Sequence, residues 1–323
     1  GRFTIELPGN KDTEVRTSVL PSEFGETIVL RILYTEAIQI ELGTLGFRPD
    51  DLAIIEEELK RPDGMILNTG PTGSGKTTTL YAFLRKKYHP EIKIVTIEHP
   101  IEYHLPGIEQ TQVDEKTGYD FAMALKSMLR QDPDVILIGE INDRDTADVG
   151  MQAALTGHLV FSTVHANSAP AAIPRLVDLG VSSSTIGPAV NLIIAQRLVR
   201  KLCVQCRRKN SMDSATAERI KKFLAVLPAR VARPPLEKIV LYNSVGCTSC
   251  YGTGFRGRIG IFELFLIDDA VESAMQLDSS LAGLLKLAET QGMVSIQRDG
   301  ILKVFAGETT FEEIESVTGP LRW

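Results

Sequence analysis

One octapeptide constrains this chain more than anything else in it. Gly70-Pro71-Thr72-Gly73-Ser74-Gly75-Lys76-Thr77 fits the pattern G-x-x-x-x-G-K-[ST]. It closes the short apolar run MILNTG and opens into TTTLYAFLRKKY, whose apolar residues recur at helical spacing. A predicted strand and a predicted helix therefore flank the loop, which is the context the motif demands. Glycines at 70, 73 and 75 let backbone N–H groups turn inward around phosphates, and the following helix presents its positive end. Lys76 then reaches the β and γ oxygens, and Thr77 ligates Mg²⁺. Gly70, Pro71, Thr72, Gly73, Ser74, Gly75, Lys76, Thr77 and Thr78 form the candidate binding set for ATP or GTP. The bland alternative, an ordinary tight turn, does not bring all these parts together.

A site of this kind needs a carboxylate at the carboxyl end of a neighbouring buried strand. Asp134-Val135-Ile136-Leu137-Ile138-Gly139-Glu140 supplies it: four apolar residues fit a strand buried on both faces, and Glu140 emerges where Mg²⁺ and the attacking water would sit. Glu98 ends the run IKIVTI in the same manner and is the second candidate catalytic carboxylate; the alternative for it is a helix cap or a surface acid. Short buried strands alternating with helices predict a parallel, three-layer α/β sheet. His158 and His165 bracket another apolar strand in TGHLVFSTVHAN. Seven residues along an extended strand are too far apart to ligate one ion jointly. Contact with phosphate or with a neighbouring subunit is the expectation, against a purely structural role.

The rest of the chain divides around this core. Residues 3 to 7 and 15 to 33 alternate apolar and polar side chains about a turn-like Pro21-Ser22-Glu23-Phe24-Gly25, which predicts a small β-rich domain. A connector follows, and Asp50 or Asp51 is placed to cap a helix through DLAIIEEELK. The boundaries expected are a partial N-terminal α+β domain at 1–35, a linker at 36–49, a nucleotide-binding domain at 50–200, a tetracysteine module at 201–258 and a helical C-terminal subdomain at 259–323, helical from IFELFLIDD onward. The chain opens without Met and inside a strand, as an excised fragment would.

All four cysteines fall in two pairs, Cys203-x-x-Cys206 and Cys247-x-x-Cys250. In a reducing compartment four thiolates at this spacing point to a closed, structural Zn²⁺ site, with a helical insert near Ala215 to Val226 occupying the long gap; reduced, unligated thiols are the alternative. Arg197, Arg200, Lys201, Arg207, Arg208 and Lys209 surround the first pair. They read either as a face for nucleic acid or anionic lipid, or as a solvated basic face that neutralises the thiolates or docks an acidic partner. No aromatic interleaving of the single-strand-binding type accompanies them. The whole chain is acidic, 35 Lys plus Arg against 41 Asp plus Glu for a net charge of −6 over 323 residues, which points away from a nucleic-acid binder. The longest stretch without those residues, Val149 to Pro174, is too polar to span a bilayer, and the first residues form no apolar signal core, so a cytoplasmic protein is expected.

GPTGSGKTTTLYA, TIEHPIEY, LRQDPDVILIGEI, ALTGHLVFSTVHANSA, AQRLVRKLC and QGMVSIQRDGILKVFAGETTFEEI, in this order, resemble the secretion ATPases that drive type II secretion and type IV pilus assembly. The resemblance covers essentially the whole chain. It implies a hexameric ATPase with a RecA-like motor domain, peripheral to the inner membrane, that moves an inner-membrane platform protein and works with an adaptor of the machine. It also implies roles: Glu98 as the Asp-box acid, Glu140 as the catalytic Walker B acid, His158 and His165 as the His-box residues, and Arg16 and Arg31 as arginines that reach the nucleotide phosphates. Members with the cysteine module assemble or secrete, whereas retraction members generally lack it. Two positions depart from the pattern: Glu98-His99-Pro100 replaces Glu-Asp-Pro, and Glu140-Ile141-Asn142-Asp143 replaces Glu-Ile-Arg-Asp. Retention of Lys76, Glu98 and Glu140 predicts that hydrolysis survives. The readings set against this one are a nucleic-acid motor, such as a helicase or DNA-transfer ATPase, and a regulatory module that binds nucleotide without turnover.

Overall fold

The structure, a computed structural model, describes residues 1–7, 11–33 and 41–322. The first strands, β1 (Arg2–Leu7), β2 (Lys11–Ser22) and β3 (Gly25–Leu33), form an antiparallel sheet in the order β1-β2-β3. The β2–β3 hairpin closes at Ser22 and Gly25, the turn expected from the sequence. The linker expected at 36–49 lies outside the described residues as far as residue 40. Helix α1 (Pro49–Glu58) starts with proline in its first turn, where the missing N–H costs nothing. Its N-cap is Arg48 with no side-chain cap, so the capping expected of Asp50 or Asp51 is corrected: both acids lie in the first turn and pair with arginine.

The central sheet is built from β4 (Gly64–Thr69), β5 (Ile94–Glu98), β6 (Glu109–Gln112), β7 (Val135–Ile138), β8 (Leu159–Val164), β9 (Val190–Leu202) and β12 (Phe255–Leu266), with the short pair β10 (Arg208–Asn210) and β11 (Leu241–Asn243) outside it. Among the described residues its order is β12-β9-β4-β8-β7-β5-β6, parallel except for β12, which runs antiparallel to β9. One strand, β8, separates the strand that enters the phosphate loop from the one that leads to Glu140, the arrangement of a RecA-like α/β core.

Alternate strand residues feed two cores, as the period of two requires. Ile66, Leu137 and Phe161 pack under α1 and α2 (Lys76–Lys87). Leu67, Ile138 and Val160 face α3 (Phe121–Met128), α4 (Arg144–Leu155), α5 (Ala172–Asp178) and α6 (Ser183–Ala189). Helix α7 (Ser214–Ala225) occupies the gap between the cysteine pairs. The chain ends in α8 (Asp269–Met275), α9 (Leu281–Thr290), α10 (Ile296–Phe305) and α11 (Phe311–Thr318).

The helical reading from IFELFLIDD onward is corrected at its start. Ile261 to Phe265 is strand, buried on both faces, and a short run broken only by the buried Glu263 has no alternation to separate strand from helix. The boundary expected at 258/259 falls inside β12, and that at 200/201 falls inside β9. Gly300 lies within α10. No helix among the described residues is long and apolar enough to cross a membrane.

Candidate nucleotide site and cysteine cluster

The loop between β4 and α2 has the geometry its glycines predict. Gly70, Gly73 and Gly75 all carry positive φ, at 151°, 79° and 92°. Lys76 folds back over the loop, donating to the carbonyls of Gly70 at 2.8 Å and Pro71 at 3.2 Å. Burial pulls its ammonium pKa down, and the nearby Glu140 carboxylate pulls the other way. Ser74 Oγ is buried with no hydrogen-bond partner among the described residues, packed close to Gly70. The loop borders a cavity of about 660 Å³, which Gly70, Pro71 and Ser74 do not line. Thr72, Gly73, Gly75, Lys76, Thr77 and Thr78 form one wall.

Glu140, just past β7, lines the same cavity near Lys76, with about a third of its side chain exposed. His165 Nε2 is 3.7 Å from its Oε2 and lines the same cavity. Glu98 also lines the cavity but is only 3% exposed. Tyr81 donates to its Oε2, while Thr96 Oγ1 (2.6 Å) and Gln110 Nε2 (3.0 Å) donate to its Oε1. Burial, and then the Glu98 charge, hold the Tyr81 phenol pKa above its ordinary value. Glu98 is therefore neither a helix cap nor a surface acid.

Arg31 reaches the cavity from β3, so the N-terminal sheet contributes to its wall. Arg16 does not line it: its guanidinium pairs with Glu102 Oε1 at 3.1 Å and donates to Ile101 O at 3.2 Å, gripping the loop that carries the cavity residues His99 and Pro100. His158 stands at the other end of β8, its Nδ1 3.0 Å from Ala153 O. A six-residue strand spans about 20 Å, so the phosphate contact expected of His158 is not made within this chain. Sequence reasoning missed Tyr81, Thr96 and Gln110 around Glu98, and Arg258, which enters the cavity from β12. Arg258 stands in the sequence GRIG with nothing to distinguish it; the pairing of β12 with β9 brings it there.

The four cysteines converge. Every pair of their Sγ atoms lies within 4.8 Å, with Cys203–Cys247 at 3.9 Å, Cys206–Cys250 at 3.8 Å and Cys247–Cys250 at 3.7 Å. A tetrahedron with metal–sulfur bonds of about 2.3 Å has an edge of about 3.8 Å, so the thiols fit a tetrahedral ion. Backbone N–H groups of Gly246, Cys247 and Gly254 donate to Cys206 or Cys250 sulfurs, which favours thiolate. The β10–β11 pairing draws the two cysteine pairs together. Among the surrounding basic residues, Arg197 donates to two backbone carbonyls and Arg200 binds Glu313 through both carboxylate oxygens. Arg207 lies over the Tyr242 ring and donates to Gly307 O.

A family model described as Type II/IV secretion system protein matches residues 1–316. The chain is 44% identical over 318 residues to Type II secretion system protein E of Pseudomonas aeruginosa, covering 98% of this chain and 61% of that protein. It is 41% identical over 323 residues to the type IV pilus assembly ATPase PilB of Myxococcus xanthus, covering 100% of this chain and 56% of that one. The chain thus spans about three fifths of the length of these relatives. Among solved structures it superposes on the pilus retraction motor PilT with bound ADP at a TM-score of 0.67 and 26% identity, covering 98% of this chain and 76% of that one. The Legionella pneumophila ATPase DotB gives the same TM-score and coverage at 19% identity, a likeness of fold.

Proposed function

We propose, from the premise that this chain belongs to the type II/IV secretion system protein family, that it is the ATP-hydrolysing motor of type II protein secretion or type IV pilus assembly. It works as a homo-hexamer at the cytoplasmic face of the inner membrane, against a platform protein and an adaptor. The observation that carries the reading is the single cavity in which Lys76, Glu140 and Arg31 meet across two sheets.

In this reading the loop N–H groups and Lys76 hold the β- and γ-phosphates, and Thr77 holds Mg²⁺, which neutralises charge on the transferred phosphoryl group. Glu140 orients the water that attacks the γ-phosphorus, with His165 beside it. Glu98 fixes the wall from which the nucleotide is read. Arg31, delivered by the N-terminal sheet, couples closure of that sheet to stabilisation of the transition state. His158, on the far end of its strand, is a residue for contact with a neighbouring subunit. Zn²⁺ held by Cys203, Cys206, Cys247 and Cys250 has a structural role, because four thiolates leave no position for water. The division at 1–35, 36–49, 50–200, 201–258 and 259–323 is part of this proposal, with the cysteine module growing out of the motor sheet between β9 and β12.

The engaged arginines around the cysteines do not favour a nucleic-acid motor. The test is phosphate release against protein concentration at saturating Mg·ATP. Specific activity that rises with concentration supports subunits completing each other's sites. No release despite nucleotide binding would leave only a regulatory binder, and stimulation by DNA would reverse the choice of class.

A further inference from the structure

Behind the phosphate loop lies a buried polar knot that touches no part of the cavity. Gln196, on β9, is 1% exposed, and Asn68 and Thr79 beside it are fully buried. Gln196 Oε1 accepts from Asn68 Nδ2 at 3.0 Å and from Thr79 Oγ1 at 2.9 Å. Asn68 is the penultimate residue of β4 and Thr79 lies in the first turn of α2. One amide oxygen therefore joins the strand that enters the loop to the helix that leaves it.

The loop itself rests on the same residue. A Cβ on Gly70 would lie 2.5 Å from the main-chain oxygen of Gln196, and a Cβ on Gly75 would lie 2.8 Å from its Nε2. Both glycines thus serve close approach to Gln196 as well as backbone turning. Burying three polar side chains is costly, and apolar side chains of the same shape would fill the space without that cost. Hydrogen bonds differ from apolar contacts in fixing direction, and a phosphate cradle of backbone N–H groups works only when its donors are held in place before the ligand arrives.

We propose that Gln196 is a positioning residue for the phosphate loop: through Asn68 and Thr79 it holds both ends of the loop in the phosphate-binding conformation. It deepens the nucleotide reading given above and rests on it. Because the loop binds the β-phosphate of ADP and ATP alike, loss of the knot weakens both nucleotides together and leaves the chemical step nearly untouched.

The test is calorimetric titration of the whole chain with Mg·ADP, beside steady-state phosphate release with Mg·ATP. Gln196→Met keeps the length of the side chain and removes the acceptor; Thr79→Val removes one donor at constant shape; Thr79→Ser keeps that donor. Gln196→Met and Thr79→Val are each expected to weaken Mg·ADP at least tenfold and to raise KM for Mg·ATP in step, with kcat within threefold. Thr79→Ser recovers most of the affinity. The double variant is no weaker than Gln196→Met alone, because both changes remove the same bond. Folded variants with wild-type affinity, or losses that multiply in the double variant, or a fall in kcat at constant KM, would overturn the proposal. Should Gln196→Met fail to fold, the Thr79→Val and Thr79→Ser pair decides it. A wild-type chain that binds neither nucleotide would overturn the nucleotide reading as well.

Discussion

Glu98 and Glu140 end neighbouring parallel strands of one sheet, yet their surroundings suit them to different work. Tyr81, Thr96 and Gln110 occupy three of the roughly four acceptor positions of the Glu98 carboxylate, which is almost fully buried, so Glu98 is largely committed to bonds within the protein. Glu140 is partly exposed, with His165 Nε2 3.7 Å from its Oε2 and Lys76 nearby, and can accept a hydrogen bond from water. Substitution by glutamine separates the two. Glu140→Gln is expected to cut phosphate release by about 10²-fold or more while Mg·ATP binding and the melting temperature stay at wild-type values. Glu98→Gln also removes charge-assisted bonds worth about 1.5–3 kcal/mol each, so turnover and stability fall together. Phosphate release and thermal melts on the same samples check both. A Glu98→Gln chain that melts like wild type yet does not turn over would move Glu98 to the reacting atoms.

At the scale of elements, legibility in the sequence tracks how local the cause is. The phosphate loop, the strands leading to Glu98 and Glu140, and the cysteine pairs were all readable, because each is fixed by residue types within a dozen positions. Ile261 to Phe265 was not, since a strand buried on both faces carries no alternation. Nor were Tyr81, Gln110 or Gln196, ordinary polar residues whose meaning lies in partners brought close by folding; Gln196 meets Asn68 across 128 positions. Nor was the pairing of Arg16 with Glu102, in the loop after β5 and 86 positions away. The cysteine cluster shows both sides: its four thiols were legible, but not that their module is anchored to the central sheet by β9 and β12. From that anchorage, metal removal should act locally. A thiol-reactive reagent with a zinc indicator is expected to release one ion per chain, and stripping the ion should speed proteolysis within residues 207–246 at least tenfold while cleavage within β4 to β8 stays unchanged. No ion released from freshly isolated protein would mean that the thiols are unligated.

Across the whole molecule, one buried ionic node ties distant parts together. Arg48, just before α1, pairs with Asp50 (3.1 Å), Asp51 (2.6 Å) and Asp299 of α10 (2.9 Å). Arg230, from the insert between the cysteine pairs, meets both Asp50 and Asp51. Lys303 and the backbone N–H of Phe262 on β12 satisfy the other oxygen of Asp299. The node therefore fastens the N-terminal end of the nucleotide-binding core to the cysteine insert, the sheet edge and the C-terminal helices. It is not fully satisfied: Asp51 Oδ2 is buried without a partner among the described residues. Burial pushes the Asp51 carboxyl up to about 6 although Arg48 pulls it down. A carboxyl whose pKa is higher folded than unfolded holds its proton more tightly in the folded chain. Its contribution to stability is full below the unfolded value near 4 and is lost as pH rises through about 6. A rise of about two pKa units corresponds to about 3 kcal/mol. Urea unfolding at pH 5 and pH 7 is therefore expected to show wild type losing stability over this interval relative to Asp51→Asn, whose amide does not titrate, by about 1–2 kcal/mol, the part of the full change that falls inside the window. If the two proteins follow the same pH dependence, the arginines keep Asp51 ionised throughout, and the node is a permanent fastening between the cysteine insert and the core instead of one that loosens as its proton leaves.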